Sequence, residues 1–423
     1  MLEIIIAIFI IGYSAIALEH PLKINKSGSA ILMGILIWTF YTIGWPQNDV
    51  VSEMAHHLSS ISEILFFLVG AMTIVEIVDA HDGFNMITNY INTKSKIRLL
   101  WIMAAITFFL SAILDNLTTT IVMISLARKL VENREQRLFF AGMTVIAANA
   151  GGAWSPIGDV TTTMLWIGGQ ISTMNIISSL ILPSIVCALV PLIYVSLFQK
   201  KFLKGDLEPK KAKRLDKENR FIFFLGVAGL ISVPIFKQLT HLPPYVGMLL
   251  ALGVIWITAD IIHRNKEEDK KEKYNAANAL MRIDMPSLLF FLGILLAVAG
   301  LESLHLLEHV AAWMDDTIGN KDVIILSIGL LSAIIDNVPL VAASMGMYDI
   351  TAYPMDHKIW EFIAYCAGTG GSVLIIGSAA GVAAMGLEKI DFIWYFKKMG
   401  FLAFIGYIAG ALVYLLQYQL VHA

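Results

Sequence analysis

The chain has 423 residues, of which 57% are apolar and only 15% charged, with a net charge of −3 and a mean hydropathy of +0.72. An average soluble domain carries roughly 25% charged residues, so the composition excludes a chain whose main solvent is water, and no nucleic-acid partner is expected. Apolar runs of 16 to 26 residues recur from end to end, each about what a bilayer core of roughly 30 Å requires of a helix, and no stretch is left for a separate soluble domain.

The first run, 2–18, ends in Ala15-Ile16-Ala17, which mimics a signal-peptidase site, but Glu3 stands where a basic n-region belongs. A retained span is expected there, followed by spans over 29–45, 60–79, 138–173, 174–199, 221–236, 244–262, 286–301, 361–387 and 393–418. Two further apolar stretches, 98–131 and 322–350, are interrupted by Asp115-Asn116 and Asp336-Asn337. Each is expected to be a re-entrant hairpin of two half-length helices meeting at a polar tip, because bare backbone at membrane depth is tolerated only where protein buries it or a cavity hydrates it. Cys187 and Cys366 lie inside apolar runs and read as small core residues, not as a disulfide or a metal pair.

Lys and Arg collect in short cytoplasmic loops. With the N-terminus outside and both Asp-Asn stretches returning to the side they came from, segments 19–28, 80–98, 128–137, 199–220, 263–285 and 388–398 hold 27 of the 30 basic residues. Only Lys237, Lys321 and Lys358 fall outside, and treating either stretch as a full span inverts everything after it. A multi-pass protein with both termini outside is expected, periplasmic if the host is a Gram-negative cell, and the expected location is the bacterial cytoplasmic (inner) membrane. The basic cytoplasmic linker 200–220 divides a first half, 1–199, from a second, 221–423; it and the charged run 264–273 read as solvated orientation signals and not as ligand sites.

The halves repeat each other. Ser111-Ala112-Ile113-Leu114-Asp115-Asn116-Leu117 recurs as Ser332-Ala333-Ile334-Ile335-Asp336-Asn337-Val338 at an offset of 221. Gly151-Gly152 followed by Gly158 recurs as Gly370-Gly371 followed by Gly377, offset 219, and Leu65-Phe66-Phe67-Leu68 recurs as Leu289-Phe290-Phe291-Leu292, offset 224. The expected directions of matched spans are opposed, so the fold class is an all-α polytopic membrane protein of two inverted repeats. Each repeat carries a re-entrant helical hairpin (98–131, 322–350) and a discontinuous transmembrane helix (138–173, 361–387). In such transporters substrate and coupling ions bind near the bilayer midplane at the discontinuous helices.

A charge at mid-membrane costs about 2.5 to 3.5 kcal/mol on insertion scales, so Asp115, Asp159 and Asp336 need a reason. Hard cations prefer oxygen ligands. The first half offers Asp115, Asn116, Thr118 and Thr119 at its tip and Asn149, Ser155, Asp159, Thr161 and Thr162 at its break; the second offers Ser332, Asp336 and Asn337, with Thr369, Ser372 and Ser378. Ser378 replaces Asp159 and Pro339 replaces Thr118 in the second half, which places the principal cation site in the first, with Na⁺ at Asp115, Asn116, Asn149 and Asp159. The plainer role for each Asp-Asn pair is a helix cap accepting from orphan N–H groups, and for Thr161 to Thr163 a bond back to their own helix; capping and ion binding are compatible. Glu63, Glu76 and Glu302 lie near span ends, as interfacial residues or proton relays. His56, His57, His305 and His309 toward the outer face, and His81 and His263 toward the inner, read as solvated surface. Burial disfavours the charged form of a carboxyl, so one buried set of oxygens can take H⁺ and Na⁺ in turn.

The string Leu114-Asp115-Asn116-Leu117-Thr118-Thr119, then Asn149-Ala150-Gly151-Gly152-Ala153-Trp154-Ser155-Pro156-Ile157-Gly158-Asp159, and later Asp336-Asn337-Val338-Pro339, closely resembles the NhaD family of Na⁺/H⁺ antiporters of the ion transporter superfamily. The resemblance implies an elevator-type homodimer that exports Na⁺ or Li⁺ in exchange for H⁺ under alkaline or saline conditions, with no cofactor and no enzymatic activity. It also implies functional roles for the matched Asp115, Asn116, Asn149, Asp159, Thr161, Thr162, Ser332, Asp336 and Asn337. Related dicarboxylate carriers are similar in layout but carry Ser-Asn-Thr at the hairpin tips, and a carboxylate there repels an anion. The competing readings are a metalloid (arsenite) or organic-anion transporter of the same fold, a channel, and, more remotely, an intramembrane aspartyl protease, whose Tyr-Asp and Gly-x-Gly-Asp patterns are absent.

Overall fold

The computed structural model describes residues 1–86, 93, 95–199, 202–203, 216–264, 266, 274–334 and 336–422; the linker 200–220 and the charged run 264–273 lie largely outside them. Apolar sequence in lipid must satisfy its backbone within each segment, and among the described residues eight helices are long and apolar enough to cross a membrane. The chain is a multi-pass membrane protein.

The first half runs through α1 (Leu2–Ala17), α2 (Lys26–Gly44) and α3 (Val50–Ala80). A hairpin of α4 (Lys96–Leu114) and α5 (Asn116–Leu130) follows. Next come a helix broken into α6 (Arg134–Gly152) and α7 (Val160–Ile167), and then α8 (Thr173–Phe198). The second half has α9 (Lys217–Thr240), α10 (Pro244–His263), α11 (Met285–Ser303) and α12 (Leu306–Ile318). Its hairpin is α13 (Lys321–Leu331) and α14 (Asn337–Met347), its broken helix is α15 (Lys358–Gly370) and α16 (Ala379–Glu388), and α17 (Phe401–His422) closes the chain.

Three boundaries depart from the sequence reading. Helix α3 has 31 residues, about 46 Å at 1.5 Å per residue, because Asp49 caps it by accepting from the Ser52 N–H well before the apolar run at 60. The arm α4 is 19 residues and not half-length, since nothing interrupts its apolar run between the Ser95 cap and Asp115; the arms of the second hairpin have 11 residues each, as expected. The third lies in the discontinuous stretch 138–173: its first part begins at Arg134, since Asn133 caps it by accepting from the Gln136 N–H, and its second part, α7, ends at Ile167, with residues 153–159 forming the expected break.

His81 and His263 are also corrected. They are 1% and 4% exposed, with their Nε2 atoms 2.8 Å apart and the His263 ring stacked on Tyr274. The helices α3 and α10 pack together and end at the same level, so each end covers the other.

Glycines set the close contacts around the hairpins, and they do so in the same way twice. Gly151 packs against the Phe108 carbonyl and Gly370 against the Gly329 carbonyl, while Gly152 faces the Gly158 carbonyl and Gly371 the Gly377 carbonyl. Ser111 Oγ donates to the Ala148 carbonyl at 2.6 Å, and Ser332 Oγ to the Ala367 carbonyl at 3.2 Å. Each hairpin is thereby locked to the first part of its own broken helix. Elsewhere the buried Glu388 receives Arg128 Nε at 2.6 Å and Arg137 Nε at 2.9 Å, which joins α5 and α6 to the end of α16.

A Cβ at Gly151 or Gly370 presses into backbone that cannot move aside, whereas one at Gly386 meets nothing within 4 Å. Gly151→Val and Gly370→Val are each expected to destabilise the detergent-solubilised protein by roughly 1–3 kcal/mol or more, the usual range for overpacking, and Gly386→Ala to leave the unfolding temperature unchanged. Thermal unfolding of the three variants checks this.

Candidate functional site

The ends of the helix fragments build the site. Between α4 and α5, Asp115 adopts φ +78°, uncommon for a residue with a side chain, and so swings its carboxylate over the start of α5. Its Oδ1 accepts from the Thr118 N–H at 2.8 Å and its Oδ2 from Thr118 Oγ1 at 3.0 Å. Asn116 donates from Nδ2 to Asn149 Oδ1 at 3.0 Å and to Asp159 Oδ2 at 2.6 Å. Asp159 caps α7, its Oδ1 accepting from both the N–H and the Oγ1 of Thr161 at 3.0 Å.

Asn149, fully buried in α6, turns its Nδ2 to the other half and donates to Ser372 Oγ and Ser378 Oγ, both at 2.9 Å. Ser378 in turn caps α16 by accepting from the Gly381 N–H at 3.2 Å. An unbroken chain of hydrogen bonds therefore runs Asp159–Asn116–Asn149–Ser372 and Ser378. It brings together the first tip, the first break and the second break.

The second tip is built differently. Asp336 caps α14 through the Val338 N–H at 3.3 Å and is paired with Lys26 Nζ at 3.0 Å. Asn337 is buried, yet its Nδ2 has no hydrogen-bond partner. Asn116 occupies the matching place in the first half and finds Asn149 and Asp159 there; Asn337 has no such neighbours, because 368 is Gly and 378 is Ser.

Asp115, Asn116, Asp159 and Asp336 line one cavity with Lys26 and the apolar side chains of Phe67, Leu68, Met72 and Phe291; its volume is about 50 Å³. A second cavity of about 190 Å³ is lined by Glu76, Asp79, Asp82, Asn85 and Lys129, and Thr118 belongs to its wall while bonded to Asp115. Of the three glutamates considered from sequence, Glu76 faces that second cavity, and Glu63 and Glu302 line neither.

Other sequence candidates act as struts. Ser155 Oγ donates to the Ala112 carbonyl at 2.6 Å and Thr162 Oγ1 to the Asp159 carbonyl at 2.9 Å. Ser332 Oγ donates to the Gly329 carbonyl and Thr369 Oγ1 to the Tyr365 carbonyl, each at 2.6 Å. Thr119 Oγ1 is buried without a partner. Asn116 and Asn149 both present their Nδ2 donors to neighbours, and Asn149 Oδ1 accepts from Asn116. The residue missed from sequence is Lys26, counted there as a loop charge. Its one signal was Pro339, which removes the two donors that Thr118 gives Asp115 and leaves Asp336 in need of another.

The chain matches the family described as "Citrate transporter" (CitMHS) over residues 6–361. It is 52% identical to "Sodium/proton antiporter 1" of Arabidopsis thaliana, with 98% of this chain and 72% of that protein covered. It is 32% identical to "Na(+)/H(+) antiporter NhaD" of Alkalimonas amylolytica, with 97% and 89% covered. The crystal structure of the YdaH transporter of Alcanivorax borkumensis is similar at a TM-score of 0.58 and 11% identity over 88% of each chain, a likeness of fold alone.

Asn149→Leu removes one acceptor and two donors from a fully buried position, and a buried polar group left unpaired costs about 1–3 kcal/mol. The variant is expected to lower the unfolding temperature by several degrees and to abolish transport. Asn149→Gln, which keeps the amide but lengthens its reach, is expected to recover stability more than transport. Thermal unfolding beside a flux assay separates the two effects.

Proposed function

The chain belongs to the NhaD family of Na⁺/H⁺ antiporters, within the broader citrate-transporter family, and from that premise we propose that it exchanges Na⁺, or Li⁺, for H⁺ by alternating access. It is a transporter and not an enzyme. The observation that carries the reading is the convergence of Asp115, Asp159 and Asp336 on one cavity of about 50 Å³.

Such a cavity is far below the roughly 300–1,000 Å³ of pockets that hold organic ligands, while a single water needs roughly 10–15 Å³ of such space. It suits a cation with a few waters and not a citrate, whose charge the carboxylates of Asp115 and Asp159 also oppose. An aspartyl protease needs two aspartates that share a proton, and Asp336 is instead paired with Lys26. A proton and Na⁺ are alternative neutralisers of the first-half carboxylates, so each displaces the other, and each pH unit across the membrane supplies about 1.36 kcal/mol.

The matched glycine and serine contacts of the two hairpins support inverted repeats divided near 200–220, and the tight pairing of α2 with α11 supports a scaffold against which the hairpins and broken helices move as an elevator. There, a Cβ on Gly34 would meet the Gly293 carbonyl at 2.6 Å, and Trp38 Nε1 donates to the Leu296 carbonyl at 2.8 Å. The distribution of basic residues supports both termini on the periplasmic side of a cytoplasmic membrane, and assembly as a homodimer completes the reading.

In proteoliposomes, ²²Na⁺ uptake driven by an imposed pH gradient is expected for the wild type and is expected to vanish for Asp115→Asn, with the protein still monodisperse. A wild type silent toward Na⁺ but active with arsenite or citrate overturns the proposal. Exchange retained in Asp115→Asn would show that the principal site lies elsewhere.

A further inference from the structure

The two tip carboxylates occupy matched positions yet meet opposite partners. Asp115 is held by the N–H and hydroxyl of Thr118, and among the described residues no basic side chain is paired with it. Asp336 has Pro339 where Thr118 would be, which supplies neither N–H nor hydroxyl, and Lys26 Nζ stands at 3.0 Å instead. The side chains of Lys26 and Asp336 are only 19% and 10% exposed.

The ammonium is placed by a rigid mount. Lys26 opens α2, whose Asn25 cap accepts from the Ser27 N–H and whose Ser27 Oγ donates to the Pro286 carbonyl at the start of α11, at 2.6 Å. Its Nζ lies 4.3 Å from the centre of the Phe290 ring, also on α11. Glu19, which accepts from the Lys26 N–H at 3.1 Å, and Asp284, which caps α11, add negative field around it. The mount, α2–α11, and the tip, at the start of α14, are different elements of the fold that pack together.

We propose that Lys26 is a tethered cation that permanently occupies the second-half carboxylate, so that the exchanger keeps one free cation site, at Asp115 and Asp159, and the ion pair positions the second tip against α2–α11. Asp336 is then not a cargo ligand. Lys26 is a positioning and selectivity residue: it neutralises the charge that would otherwise draw a second Na⁺ into the same cavity. This assignment deepens the antiport reading and rests on it.

The test is a double-mutant cycle on the full chain, purified and reconstituted, with equilibrium ²²Na⁺ binding and flux as readouts. The wild type is expected to bind one Na⁺ per chain. Asp336→Asn leaves an unpaired ammonium in the cavity, and its repulsion is expected to raise the KM for Na⁺ about ten-fold or more with a much smaller change in kcat, since like charges juxtaposed in a buried site repel. Lys26→Met exposes Asp336 and is expected to add a second bound Na⁺. The double variant Lys26→Met/Asp336→Asn returns to one Na⁺ and recovers most of the KM lost in Asp336→Asn alone. A double variant no better than Asp336→Asn, or a wild type that binds two Na⁺, overturns the assignment, as does a folded Lys26→Met that binds only one. If Lys26→Met does not fold, the comparison of Asp336→Asn with the double variant decides alone. A wild type with no Na⁺-specific binding overturns the antiport reading itself.

Discussion

A helix that stops in mid-membrane exposes backbone N–H groups that no water can satisfy. Four fragments of this chain begin buried inside the protein, and the residues that cap them are Asp115, Asp159, Asp336 and Ser378. The caps are therefore obligatory before they are functional. Helix N-termini carry positive partial charge and by themselves suit an anion, in keeping with a wider family described as citrate transporters. In this chain three of the four caps are its own carboxylates, which fill the anionic positions from within.

The same frame is used twice and finished differently. Gly151 and Gly370 press against equivalent carbonyls, and Ser111 and Ser332 bond equivalent carbonyls, so the hairpins are positioned alike. What differs is the polar content that the frame presents. Asn149 and Asp159 in the first half correspond to Gly368 and Ser378 in the second, and that pair of losses is why Asn116 has two partners and Asn337 Nδ2 none. A symmetric scaffold thus carries an asymmetric charge distribution.

Much of this was legible in the sequence because it depends on local chemistry. An Asp-Asn pair in an apolar run signals a break, spaced glycines signal close backbone approach, and their recurrence signals a repeat. The cluster of Asp115, Asn116, Asn149 and Asp159 followed from those signals. Lys26 did not, because a basic residue flanking an apolar run is ordinarily a topology marker, and only packing reveals that its side chain folds back to a carboxylate 310 positions away. His81 and His263 were hidden for the same reason: nothing local says that two helix ends cover each other. Nor does the sequence show which hydroxyls are occupied, since Ser155, Ser332 and Thr369 turn to backbone carbonyls, whereas Ser372 and Ser378 turn to Asn149.

The hydrogen-bond chain gives the proposed exchange a physical route between halves. Asp159 Oδ2 accepts from Asn116 in the structure, and a cation arriving at that carboxylate competes with the amide for the same oxygen. Any turn of Asn116 alters its other bond, to Asn149 Oδ1, and Asn149 in turn holds Ser378, the cap of α16. Occupancy of the first-half carboxylates therefore reaches a helix start in the second half through three buried side chains. Buried polar networks of this kind act as a unit, because any unpaired member carries a large penalty. The identity of the neutralising ion, Na⁺ or H⁺, is the variable that such a network can sense, since a proton adds a donor to the carboxyl where a metal ion adds none.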